Sequence, residues 1–223
     1  MIVVVAILGL RNVAGEDLVP ASLYVPVNLG LTAVVALVAA GTGMSTSDLG
    51  LSRSSARRGL WIGFAGAVAV AVTLAVAAAV PWTRPLFEDQ RASSVDGGAD
   101  LAYHALVRIP LGTVVLEELA FRGALLSMLG RRRSIAVAIV VSSALFGLWH
   151  IRPTLSALDA NDLASDAVAR FAAVSGAVAI TAFAGAAFCA LRLASGSLLA
   201  PMLVHAATNS LSLAIAYVVL GTS

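Results

Sequence analysis

Three charged residues, Glu117, Glu118 and Arg122, sit inside an apolar run from about Leu101 to Leu129. An ionisable side chain within a membrane span costs at least ~2.5 kcal/mol on insertion scales, so each of them is a candidate for function. Helical spacing separates the three. Glu118 and Arg122 are four apart, share a face and can pair. Glu117 points about 100° away from Glu118 and keeps its carboxylate free. One neutralised Glu beside one available Glu suits a general base next to a structural ion pair. The plain alternative is a single buried salt-bridge cluster of all three.

Two further apolar stretches carry polar groups at the same spacing. Phe146 and His150 are four apart, and so are His205 and Asn209. Taken singly, each reads as a hydrogen-bonded structural residue or as interhelical glue. Burying them separately would be costly, so convergence on one polar cavity is expected. A carboxylate and an imidazole can hold a water and take its proton as it attacks a carbonyl. A second imidazole and a carboxamide can donate to the oxyanion that forms. Glu117, His150 and His205 also make a three-ligand zinc site with an open position, and residue types do not choose between the two chemistries. His104 lies thirteen residues before Glu117, ~220° round the helix, and reads as an interfacial anchor. The single cysteine, Cys189, permits no intramolecular disulfide and no Cys metal cluster, and reads as a small core residue.

The elements that position these residues are membrane helices. The chain is 60% hydrophobic and only 12% charged, with mean hydropathy +0.96, whereas a soluble domain is nearer ~25% charged. Its 223 residues allow about six to seven spans at ~20 residues each. The expected fold is an all-α, polytopic bundle enclosing a polar intramembrane cavity. Residues 1–100 form N-terminal membrane segments, with spans at about 18–40 and 60–80. Residues 101–223 form a core of four membrane helices, with spans at 101–129, 134–151, 167–191 and 198–220. Ile2–Leu10 is too short to span and reads as a partial helix or the remnant of a longer span; no basic region precedes it, so no cleavable signal peptide is evident. Polar breaks are expected at Arg11–Asp17, Gly41–Gly59, Pro81–Asp100 and Arg152–Asp166, with an interfacial turn or helix starting at Asp48.

All fourteen basic residues are arginine, and the net charge of +2 gives no argument for nucleic acid. The connectors holding Arg53, Arg57 and Arg58, Arg131–Arg133, and Arg192 fall on one side, the cytoplasmic one by the positive-inside rule; the acidic loops fall on the other. Ideal-helix depths conflict, however. Glu117 lies ~20 Å from the arginine end of its helix and His205 only ~12 Å from its own.

The motifs Glu117-Glu118-Leu119-Ala120-Phe121-Arg122, Phe146-Gly147-Leu148-Trp149-His150 and His205-Ala206-Ala207-Thr208-Asn209, in that order, resemble the CPBP family of intramembrane endopeptidases. That family includes type II CAAX prenyl proteases and bacterial Abi proteins linked to bacteriocin processing and self-immunity. The resemblance covers about residues 101–220. It implies an intramembrane hydrolase in a bacterial plasma membrane, with a peptide or protein substrate and surrounding lipid as partners. Glu117 would activate water shared with His150, His205 and Asn209 would stabilise the oxyanion, and Glu118, Arg122 and Phe146 would support them. The family is labelled metalloprotease in some accounts and metal-free glutamate peptidase in others; the metal-free route is the expectation, with a divalent metal such as zinc as the alternative.

Other protease designs fit worse. There is no His-Glu-x-x-His helix, no Asp inside a span and no Gly-x-Ser-Gly context. Ser142, Ser143, Ser210 and Ser212 read as packing or back-bonding residues. Two non-proteolytic alternatives stand beside the peptidase: an immunity or binding protein that keeps the cavity, and a small proton-coupled transporter using Glu117. The transporter would favour internal repeats, and none is seen.

Overall fold

The computed structural model describes residues 1–14 and 19–221. Among the described residues eight helices follow in order: α1 (Ile2–Ala14), α2 (Tyr24–Gly41, entered through a 3₁₀ turn at Ala21–Leu23), α3 (Arg53–Ala79), α4 (97–130), α5 (Ile135–Trp149), α6 (Ile151–Ala160), α7 (Ala167–Ser195) and α8 (Leu199–Gly221). No strand occurs among the described residues. α2, α3, α5 with α6, α7 and α8 are each long and apolar enough to cross a bilayer. α4 is a sixth long element, running from the acidic loop at one end of the bundle to the arginine turn at the other. The expected all-α polytopic bundle is borne out, and the protein is an integral membrane protein.

Several helix limits differ from the hydropathy reading. α1 continues through Arg11–Ala14, so that part of the expected break is helical; Gly15–Asp17 and the Leu18 start of the first expected span lie outside the described residues. α3 begins at Arg53, seven residues before its apolar stretch, because Ser52 caps it by accepting from the Ser54 N–H. α4 begins at Gly97. Ile151–Ala160, which apart from Ile151 falls within the expected second acidic loop, is helical, with Pro153 tolerated in its first turn. Around Asp48 the chain makes a tight turn, closed by the Leu51 N–H on the Thr46 carbonyl at 2.7 Å.

α4 is the centre of the bundle. Every residue from Leu116 to Leu126 is buried. Outside it the polarity is inverted relative to a soluble protein. Phe64, Val68, Val72 and Val76 on α3, and Ile180 and Phe183 on α7, are exposed, which is the surface a lipid-facing helix presents. With no hydrophobic drive between helices in lipid, close packing must come from small residues. Gly63 shows this on α3: a Cβ there would lie 3.0 Å from the Ala200 Cα of α8.

The arginine-bearing connectors meet at one end of the bundle. Arg131 pairs with Asp48 at 2.9 Å, Arg192 donates to the Asp48 carbonyl at 2.8 Å, and Gly59 abuts Ser197. At the other end, Asn161 after α6 accepts from the Gln90 N–H at 2.8 Å and donates to Asp89 at 3.1 Å. The two groups of connectors are therefore segregated as the charge pattern requires.

α4 is not uniformly α-helical. His104–Val114 and Leu119–Leu125 wind as π-helix, and Val115–Glu118 between them is α-helical. Pro110 inside the first π segment removes an N–H donor, which favours a local change of winding. Wider i→i+5 winding shortens the rise per residue. In Leu119–Leu125 it draws Glu117 towards the arginine end, the direction that removes the depth conflict with His205.

Candidate intramembrane active site

Glu117 and Glu118 sit in the short α-helical stretch between the two π segments of α4, which aims their side chains in different directions. Glu118 takes the structural role that its spacing predicts. Its Oε1 accepts from Arg122 Nη1 at 3.0 Å, with both side chains wholly buried. The Arg122 guanidinium lies 3.9 Å over the Phe146 ring and 5.0 Å over Phe188, so aromatic faces replace the water it has lost. Gly185 on α7 makes room for this contact: a Cβ there would stand 3.2 Å from Arg122 Nη2 and from the Phe146 ring.

The same Glu118 Oε1 also accepts from His205 Nδ1 at 2.8 Å. Because the carboxylate can only accept, Nδ1 carries a proton and Nε2 is turned the other way. Nε2 lies 3.8 Å from Glu117 Oε2. The His205 ring is stacked on Phe188 at 5.0 Å, which limits its tilt. Spacing places His205 near the carboxylates but does not show that Glu118 rather than Glu117 orients it.

Glu117 is not entirely free, which corrects the expectation. Its Oε1 accepts from Trp149 Nε1 at 2.9 Å. Its Oε2 is buried and has no hydrogen-bond partner. Glu117 thus has one oxygen anchored and one presented to His205.

His150 caps the end of α5, half-buried, with its Nδ1 2.8 Å from the Phe146 carbonyl. A carbonyl only accepts, so Nδ1–H donates and Nε2 is left available. Both imidazoles meet Phe146 edge-on, His150 at 4.6 Å and His205 at 5.9 Å between ring centroids. Phe146 is therefore the aromatic partition shared by both. Asn209 lies one turn beyond His205 on α8, half-buried, and its side chain makes no hydrogen bond to the described residues. Among the described residues no hydrogen bond joins Asn209 to Glu117. His104, set aside from the site, lies 3.6 Å from Asp100 one turn earlier on α4.

Sequence reasoning missed Trp149 and the aromatic wall of Phe121 and Phe188. It assigned Ser142 to packing; in the fold Ser142 Oγ–H donates to the Phe121 carbonyl at 2.8 Å, tying α5 to the π segment beside the site. Among the described residues, no group of three or more His, Cys, Asp or Glu is placed to hold a metal ion. Glu117, His150 and His205 are not placed as such a group; the Nδ1 hydrogen bonds of the two imidazoles do not themselves disfavour a metal, because a ligating histidine ordinarily donates its second nitrogen in this way and binds through Nε2.

The sequence model of the family described as type II CAAX prenyl endopeptidase Rce1-like matches residues 100–211, just over half of the 223 residues. The chain belongs to this family. Comparison with curated proteins and with solved structures returns no match. The part that matches the CAAX endopeptidase family holds Glu117, Glu118, Arg122, Phe146, His150, His205 and Asn209, that is, α4 through most of α8. Helices α1–α3 lie outside it.

Proposed function

We propose that this member of the CAAX endopeptidase family hydrolyses a peptide bond at or within the bilayer, with Glu117 as the base. One observation carries the reading: a buried carboxylate oxygen without a protein partner, Glu117 Oε2, faces the Nε2 of an oriented histidine at 3.8 Å. Oε2 accepts a proton from water as the water oxygen bonds to the scissile carbonyl carbon, and His150 shares that water through its available Nε2. The two carboxylates and one guanidinium leave one negative charge. A proton on His205 Nε2 balances it and makes that nitrogen a donor to the oxyanion, with Asn209 as the second donor. As the C–N bond breaks, Glu117 returns its proton to the leaving amine and is regenerated as carboxylate.

The substrate class is a lipid-anchored or membrane-spanning peptide. The reaction as written uses no metal. The test is cleavage of a farnesylated, internally quenched peptide ending in Cys-aliphatic-aliphatic-X by the full chain in lipid nanodiscs. Glu117→Gln and His205→Ala should each lower the rate by at least about 100-fold. Wild-type cleavage by Glu117→Gln would remove the base assignment. Absence of cleavage by the native chain would remove the prenyl-peptide substrate class. Activity should survive EDTA, and loss on chelation restored by zinc would overturn the metal-free route.

A further inference from the structure

We propose that Trp149 is a positioning residue for Glu117, and that α1, outside the segment shared with the family, holds it in place through Asn12. The inference rests on Glu117 being the base. A carboxylate that must offer one oxygen in a fixed direction needs its other oxygen tied down. Trp149 Nε1–H donates to Glu117 Oε1 at 2.9 Å, so rotation about the carboxyl axis is stopped and Oε2 stays on the His205 side. The indole can do this only if its own backbone is fixed, and there the helix is weakened. Pro153 has no N–H, so the Trp149 carbonyl loses the donor that a helix would supply four residues on. Asn12 Nδ2–H donates to that carbonyl at 2.8 Å, across 137 residues of sequence. Arg152 Nη1 returns a bond to the Asn12 carbonyl at 3.0 Å.

A cavity of ≈ 160 Å³ lies between α1 and the side chains of Phe121, Leu125 and Leu145, next to Trp149. The hydrogen bonds of Asn12 add a directional tie to the apolar core that Val4 and Leu8 of α1 share with Phe121 and Leu125, against which Trp149 packs. A residue far from the chemistry thereby sets the direction of the base.

Two readouts test this on the full chain in micelles. The chain has three tryptophans, and Trp61 and Trp82 are 66% and 90% exposed. Their indole ¹⁵N–¹H signals can be assigned with Trp61→Phe and Trp82→Phe, leaving Trp149 by elimination. Glu117→Gln and Asn12→Ala should each move the Trp149 signal while Trp61 and Trp82 stay. An unmoved Trp149 signal in Glu117→Gln overturns the proposal whatever the substrate is. In the cleavage assay, Trp149→Phe keeps an aromatic ring, smaller than the indole, and removes the donor; kcat should fall about tenfold with KM within about twofold, and Asn12→Ala should show the same split, smaller. Unchanged kcat in Trp149→Phe, or a change confined to KM, overturns the positioning role. Full cleavage by Glu117→Gln instead defeats the assignment of the base, while the indole shifts still report whether the contact exists.

Discussion

Arg122→Leu is the most decisive perturbation of the buried cluster. Arg122 and Glu118 are both wholly shielded and meet at 3.0 Å, so removing the guanidinium leaves a carboxylate charge without its cation. Breaking such a pair from one side costs ~3–5 kcal/mol. The guanidinium also gives up its place 3.9 Å over Phe146, while the His205 Nδ1–H at 2.8 Å still holds Glu118. These two terms oppose each other and leave about 3 kcal/mol. For a chain of this size that corresponds to a fall in the thermal midpoint of roughly 6–12 °C. The assay is unfolding in detergent micelles followed by tryptophan fluorescence. The second arm is Arg122→Leu with Glu118→Gln, which removes the stranded charge and keeps an acceptor for His205. The double variant should recover most of the loss. A single variant within about 1 kcal/mol of the native chain, or a double variant no better than the single, would refute the view that charge compensation holds this cluster together.

Close approach of α3 and α8 depends on Gly63. Gly63→Ala puts a Cβ 2.8 Å from Leu203 Cδ1 and 3.0 Å from the Ala200 Cα, so it should lower stability by ~1–3 kcal/mol. Gly30→Ala, on α2 with nothing within 4 Å, should instead hold or raise the thermal midpoint. At the arginine end, the hydroxyl and N–H of Ser45, and then Arg131, hold the Asp48 carboxyl below its ordinary value of 3.8. A depressed carboxyl contributes stability above its unfolded value and loses it as pH falls through the folded one. The hydrogen-exchange protection of residues 45–51, taken relative to the intrinsic rate at each pH, should therefore fall below about pH 3.8 in the native chain, and Asp48→Asn should show the lowered protection already at pH 7; native-like protection in Asp48→Asn would refute the tie.

The parts of the site legible in the sequence are those whose cost belongs to one residue. A carboxylate at membrane depth is conspicuous wherever it sits, so Glu117, Glu118, Arg122 and His205 stand out of their apolar runs, and spacing alone pairs Glu118 with Arg122. Helix ends were less legible because hydropathy marks where lipid is, not where the backbone stops being helical. The polar start of α3 at Arg53 and α6 beyond Ile151 lie outside the expected spans, where hydropathy gives a loop. Trp149 and Asn12 failed for a different reason. A tryptophan near a span end is ordinary in a membrane chain, and an asparagine in a short apolar helix carries no mark of its partner. Their significance is relational: it appears only when Pro153 empties a carbonyl and the fold brings Asn12 to it. Pro153 itself was visible, and a proline four residues after a tryptophan already states that one carbonyl must find a donor elsewhere. That demand, rather than any motif, is the signal from which the α1 contact could have been sought. It also explains why a helix too short to span is nonetheless joined to the half of the bundle that matches the family.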